Sequence, residues 1–223
     1  MGSDATKRIF VKHGAQEPLY GVRVQDLKTI QKQVKKNYTL AKQLYSTGNS
    51  DAMYLAGLIA DEQAMTREDL QEWVQQAYWY MLSEYTVAWV AAESRYGFEL
   101  ASEWIDTEEE SIAAAGWSTL SSLVTIKPDA ELDMAYLRHL LDRVQTELQS
   151  SPNRVRYTMN GFVIAAGAGV AALTQKAKAV AVAIGPVQVA MGGTNCKVPD
   201  AHAYIEKVEG QHKIGRKKKM ARC

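Results

Sequence analysis

The sequence is short of nearly every pattern that marks a common chemistry. Its two cysteines, Cys196 and Cys223, cannot build a disulfide framework, and free thiols point to a reducing compartment. The four histidines, His13, His139, His202 and His212, are too scattered for metal-ligand spacing, and Cys196 and His202 are too isolated for zinc, so no metal is expected. Gly192 and Gly193 follow no clear strand and form no phosphate-cradling loop. No serine nucleophile elbow is present. No cofactor is therefore expected. A net charge of +1 excludes a global pull toward nucleic acid, so any such pull must come from local patches. The opening MGSDATKRIF lacks the apolar core of a signal peptide, although Gly2 followed by Thr6 fits the short, common myristoylation pattern. The most apolar stretch, 161–191, is broken by Lys176, Lys178 and Pro186. It reads as a buried helix pair, not a membrane span. A cytoplasmic protein without membrane attachment is expected.

What is present is helix, almost without interruption. With 47% hydrophobic and 23% charged residues in 223, the chain suffices for one sizeable globular domain. From Gln25 to Lys36, Leu27, Ile30 and Val34 share one face and lysines the other. Asn37 caps a short helix ending near Gly48, and Ser50 caps the run AMYLAGLIA. Thr66 with Asp69 forms a capping box. A further helix runs from Tyr78 to about Ser94, followed by FELASEWI. Asp106 or Thr107 then caps a helix with acids at 108–110, where carboxylates favour the helix dipole. Leu132 to Gln149 is amphipathic, Pro152 opens RVRYTMNGFVIAAG, and ALTQKAKAVAVAIG is its neighbour. GPVQVAMGGTN reads as irregular, with VQVAM a possible short strand. Pro199 opens the last helix. Short links make consecutive helices antiparallel. The expected fold is all-α, an α-solenoid of HEAT-like antiparallel helix pairs, with a globular helical bundle as the alternative. One domain spans 1–210, and 211–223 is a basic tail.

Charge and aromatics mark the candidate sites. Lys28, Lys32, Lys35 and Lys36 lie on one helical face. A second basic segment, HKIGRKKKMARC, carries Arg216, Lys217, Lys218 and Lys219 on a flexible end suited to phosphate contacts. Either segment can equally be a solvated face. Arg154 and Arg156 sit near Tyr157 and Asn160, a mixture that can touch phosphate and sugar or join helices. In YWYMLSEYTVAWVAAE, five large aromatics crowd Glu84. Trp89, Trp104 and Trp117 read as core. Tyr80, Trp79 and Tyr85 flank the carboxylate, as core or as an aromatic cage. Desolvation there would raise the Glu84 pKa.

The segments PLYGVRVQDLKTI, FELASEWIDTEEESIAAAGWSTLSSLV, NRVRYTMNGFVIAAG and CKVPDAHAYIEKVEGQHKIGRKKKMARC together resemble the DNA alkylation repair proteins. These are the HEAT-like-repeat alkylpurine DNA glycosylases and their relatives. The resemblance runs from about Ile9 to Cys223. It implies a basic concave face gripping duplex DNA, in the bacterial cytoplasm or nucleoid, by a monomer. It also implies excision of cationic bases such as 3-methyladenine and 7-methylguanine. A carboxylate would stabilise the oxocarbenium-like sugar, and aromatics would lie against the lesion, with base extrusion not required. The family's Trp four residues before its catalytic Asp matches Tyr80 and Glu84. A one-residue shift would put Tyr85 at the Asp position and leave no carboxylate. The implied site is then Glu84 as catalytic group, with Tyr80, Tyr85 and Phe162 against lesion and sugar. The family's phosphate-contacting Arg would fall near Ala113 or Ala114, where this sequence has none. The alternative function is a catalytically inactive scaffold for unusual DNA structures or a protein partner.

Overall fold

A computed structural model describes residues 1–192 and 196–222. Many of the helices begin where a polar side chain meets their free amides. Ser3 caps α1 (Asp4–Lys12), Asn37 caps α3 (Tyr38–Tyr45) and Asn49 caps α4 (Ser50–Ile59). The expected Thr66–Asp69 capping box opens α5 (Arg67–Gln76). Asp133 caps α9 (Met134–Glu147) and Asp200 caps α12 (Ala201–Gly210). The remaining α-helices are α2 (Val24–Val34), α6 (Ala88–Glu93), α7 (Gly97–Trp104), α8 (Glu110–Ile126), α10 (Asn153–Gly169) and α11 (Thr174–Ile184). Among the described residues there is no strand. An isolated antiparallel bridge joins Gly2 to Val22, and VQVAM is irregular. Residues 193–195 of the GPVQVAMGGTN segment, and Cys223, lie outside the described residues.

Four local features depart from expectation. Helix α1 goes unsignalled in the sequence, because its short apolar face buries no residue fully. Asn49, not Ser50, caps α4. Helix α8 starts at Glu110, later than an Asp106 or Thr107 cap would place it, since Asp106 and Thr107 complete the last turn of α7. The helix expected from Tyr78 to Ser94 is two pieces. Met81–Val87 winds as a π-helix, and α6 continues from it.

The chain alternates between two layers, as antiparallel pairing of successive helices requires. One layer stacks α4, the π-helix with α6, α8, α10 and α12 in order, each against the next. The other holds α3, α5, α7, α9 and α11, each packed on its partner in the first layer. This is a HEAT-like α-solenoid. Gly57 lets α4 approach the π-helix, since a Cβ there would stand 2.5 Å from the Thr86 methyl. Trp104, Trp117, Tyr45 and Phe162 fill the space between layers. No single described helix is long and apolar enough to cross a membrane, and the apolar pair α10 and α11 is bent by 118°.

Alternate helices of a paired stack are parallel, so the first layer gathers its helix C-termini on one edge. The basic tail runs along that edge, from α10 back to α4. Gly215 donates its amide to Ala168, and Lys218 donates its amide to Thr125 at 2.8 Å. Lys217 Nζ donates to the carbonyls of Val124 and Gly169 and pairs with Asp129 at 2.7 Å. The Ala221 amide donates to Glu93, and Arg222 donates to the carbonyls of Gly57 and Leu58. The expected flexible end is therefore a strap, held because exposed helix carbonyls attract cations and N–H donors.

Candidate nucleic-acid interface

Glu84 lies inside the π-helix with its side chain 3% exposed. Arg154, in the first turn of α10, reaches it in a two-point contact: Nε donates to Oε1 at 2.7 Å and Nη2 to Oε2 at 2.6 Å. Glu110 fixes α10 in place by accepting the Arg154 amide at 2.5 Å. The Arg154 guanidinium carbon lies 4.6 Å from the Tyr80 ring centroid and 4.4 Å from that of Tyr157. The cation is thus held between two π-faces above a carboxylate. Tyr80 also contacts His13 Nδ1 through its hydroxyl, at 3.1 Å, and the His13 carbonyl accepts the Trp79 indole N–H. These contacts dock the end of α1 against the cage.

The electrostatics follow from burial. Burial pushes the Glu84 carboxyl above its ordinary range, with Arg154 opposing that push. Burial works against the Arg154 charge, yet Glu84 outweighs it and the guanidinium is held above its usual value. The short two-point geometry is that of an ion pair. Burial also raises the phenols of Tyr80 and Tyr157, and takes Tyr85 far above its ordinary value. Both Glu84 oxygens are engaged, so the carboxylate presents no free charge to a reacting sugar.

Beside the cage, the first layer opens a cleft of about 250 Å³. Tyr85 and Trp89 line one side, Ser118, Ser122 and Thr125 of α8 another, Tyr157 and Gly161 of α10 a third, and Lys218 of the strap stands at its edge. The expected aromatic at 162 is not among them. Phe162 is fully buried against Trp117, with centroids 5.3 Å apart, because its position on α10 faces between the layers. Tyr80 packs against the ion pair, and Tyr85 lines the cleft. Ala113 and Ala114 are buried.

The basic residues divide into two groups. Arg154, Lys36 and Lys217 are paired within the protein, to Glu84, Glu62 and Asp129. Each of these three expected DNA contacts therefore already carries a carboxylate partner, with Lys36 still half exposed. Lys28, Lys32, Lys35, Arg156, Arg216, Lys218 and Lys219 have no acidic partner among the described residues. Nε of Arg156 is buried without a hydrogen-bond partner. The two basic segments meet at Glu62, whose side chain is 2% exposed. It takes Lys36 of the first segment and, at 2.5 Å, Arg222 of the strap. Sequence reasoning misses Glu62, which has no local signal. It also leaves Gly161 unused, although Gly161 follows Tyr157 by one helical turn.

Comparison with known proteins places the chain in a family. The model of the family described as DNA alkylation repair enzyme matches residues 2–179. Lin0241 of Listeria innocua is 35% identical over 212 residues, covering 92% of this chain and 91% of its own. Lmo0209 of Listeria monocytogenes is 35% identical over 214 residues, covering 93% and 92%. A solved structure described as a new family of proteins related to the HEAT-like repeat DNA glycosylases, with affinity for branched DNA structures, superimposes with a TM-score of 0.91. It is 36% identical, and the match covers 100% of this chain and 94% of that one.

Proposed function

The chain belongs to the DNA alkylation repair enzyme family, and we propose that it is a DNA-binding member that prefers branched structures and does not excise bases. One observation carries the reading. A cationic alkylated base needs aromatic faces and a carboxylate, and here that arrangement already holds a cation of the protein itself, the Arg154 guanidinium. A buried carboxylate neutralised by its own partner is a poor electrostatic match for a developing oxocarbenium ion, which needs uncompensated negative charge. This pairing counts against Glu84 as the catalytic carboxylate of a glycosylase. Binding remains well supplied. Lys28, Lys32 and Lys35 are without acidic partners among the described residues, and so are Lys218 and Lys219 on the strap. The affinity for branched DNA described for the structural relative supports the same reading.

The test has two arms. In the first, fluorescence anisotropy compares a branched DNA with a linear duplex across a salt series. Tighter binding to the branched form is expected, with log K falling linearly against log salt. Replacing Lys28, Lys32 and Lys35 together by alanine should flatten that slope by about 0.9 for each phosphate the variant no longer neutralises. In the second, alkylated duplex is incubated with the protein and free 7-methylguanine is measured. No release above the protein-free rate is expected. Release that disappears in Glu84→Gln would overturn the reading and restore the glycosylase.

A further inference from the structure

Resting on the DNA-binding reading, we propose that the cleft between the π-helix, α8, α10 and the strap receives one unpaired nucleotide of a branched DNA. Its volume of about 250 Å³ lies just below small-ligand sites, which begin near 300 Å³. A single nucleotide matches that scale, and a duplex does not enter.

The lining has the chemistry that single strands require. Tyr85 and Tyr157 line the cleft with aromatic surface of the kind on which a base stacks, Tyr157 with Arg154 already on one face. Ser118 and Ser122 stand one helical turn apart on α8, and neither hydroxyl has a hydrogen-bond partner among the described residues. Hydroxyls so placed suit phosphate or sugar oxygens. Lys218 brings the one uncompensated charge among the described lining residues. Its backbone is fixed by the hydrogen bond that its amide donates to the Thr125 carbonyl, and its ammonium has no acidic partner among the described residues. The other charged lining residue, Glu84, is neutralised by Arg154 and does not repel a phosphate.

Gly161 is the strongest sign. Glycine is the poorest non-proline residue for a helix interior, so a glycine at mid-helix needs a reason. At Gly57, Gly116 and Gly167 the reason is packing, since a Cβ would meet another atom at 2.5, 2.8 and 2.5 Å. At Gly161, in the middle of α10, nothing lies within 4 Å of that position. The missing side chain leaves the cleft wall bare, which lets a ligand approach the helix backbone. Unpaired nucleotides occur at forks and flaps and are absent from intact duplex, so an occupant of this kind converts the cleft into a discriminator between the two.

Gly161→Leu tests the idea without threatening the fold, because the position is open and leucine is a better helix former. Wild type and variant are titrated against a duplex bearing a single-stranded flap, with 2-aminopurine in the flap, and against a blunt duplex of equal length. The wild type should bind the flap about tenfold more tightly, the scale that stacking one base supplies, and quench the 2-aminopurine. The variant should bind flap and duplex alike, leave the probe bright, keep the wild-type duplex affinity and melt no lower than wild type. Retention of the flap preference by a folded Gly161→Leu protein overturns the proposal, as does a wild type that binds duplex but shows no flap preference. A wild type that binds neither DNA defeats the underlying DNA-binding reading instead, and the two failures are therefore distinguishable.

Discussion

Replacing Arg154 by leucine isolates the energetics of the filled cage. The substitution leaves the Glu84 carboxylate 3% exposed with no counter-charge. Breaking a buried pair from one side typically removes about 3–5 kcal/mol, a large share of the roughly 5–15 kcal/mol that holds a domain folded. Part of the loss is the cation held between Tyr80 and Tyr157, about 0.5–2 kcal/mol for each ring. Removing both charges, in Glu84→Leu with Arg154→Leu, should recover the share that comes from the stranded carboxylate, because a well-packed apolar pair needs no compensation. The pH dependence has a definite sign. Burial already pushes the Glu84 carboxyl up, and Arg154 is what opposes it, so the variant raises it further. A group whose folded pKa exceeds its unfolded value takes up a proton on folding. Stability of Arg154→Leu should therefore rise as pH falls through the raised folded value, and the gain should be complete below the ordinary glutamate range. Urea unfolding followed by tryptophan fluorescence at about pH 8 and about pH 5, either side of a raised carboxyl, measures both effects. Equal losses in the single and double variants, or a deficit independent of pH, would refute the account of Glu84 as a charge neutralised by its partner.

Two smaller predictions concern the scaffold. Arg222→Ala removes one of the two cations on Glu62 and the donors to the Gly57 and Leu58 carbonyls. A loss of about 1–3 kcal/mol is expected, seen as a lower midpoint in thermal unfolding, and an unchanged midpoint would mean that the strap is not anchored in solution. Gly57→Ala drives a methyl to 2.5 Å from Thr86 and should destabilise by about 1–3 kcal/mol in urea. Gly161→Ala, with open space at the same atom, should stabilise by up to about 1 kcal/mol, so a common sign for the two glycines would contradict the packing described.

Most of the scaffold is legible in the sequence because its signals are local. The Thr66 and Asn37 caps and the apolar run of α10 each speak within one helical turn or one face, whereas the expected lysine face keeps only Lys28 and Lys32 on α2, which ends at Val34 with Lys35 at φ 60°. The site is less legible because its determinants are not local. Four-residue spacing places Tyr80 and Glu84 on one face, and both do meet the Arg154 guanidinium, but the π-helical winding between them carries no local signal. Arg154 lies 70 residues from Glu84, and no periodicity pairs them. The family resemblance points to residue 162 as the aromatic partner, yet its neighbour Gly161 faces the cleft, a difference of about 100° around the helix. The basic tail reads as free because a lysine run carries no signal for the carbonyls that receive it.

Those carbonyls explain why the tail bears on binding as well as on stability. Helices α4, α6, α8 and α10 direct their C-termini to one edge, and each C-terminus carries about half a negative charge. Left bare, that edge would oppose a phosphate backbone entering the neighbouring cleft. Lys217 and Arg222 donate to the carbonyls themselves, which caps the exposed acceptors of α4, α8 and α10, while Lys218 and Lys219 between them have no acidic partner among the described residues. The strap therefore separates its cations by role along the chain: Lys217 and Arg222 anchor it, each with a carboxylate partner, and Lys218 and Lys219 supply the uncompensated charge. The chain's net charge of +1 conceals this arrangement, since the fold, rather than the composition, decides which cations remain for DNA.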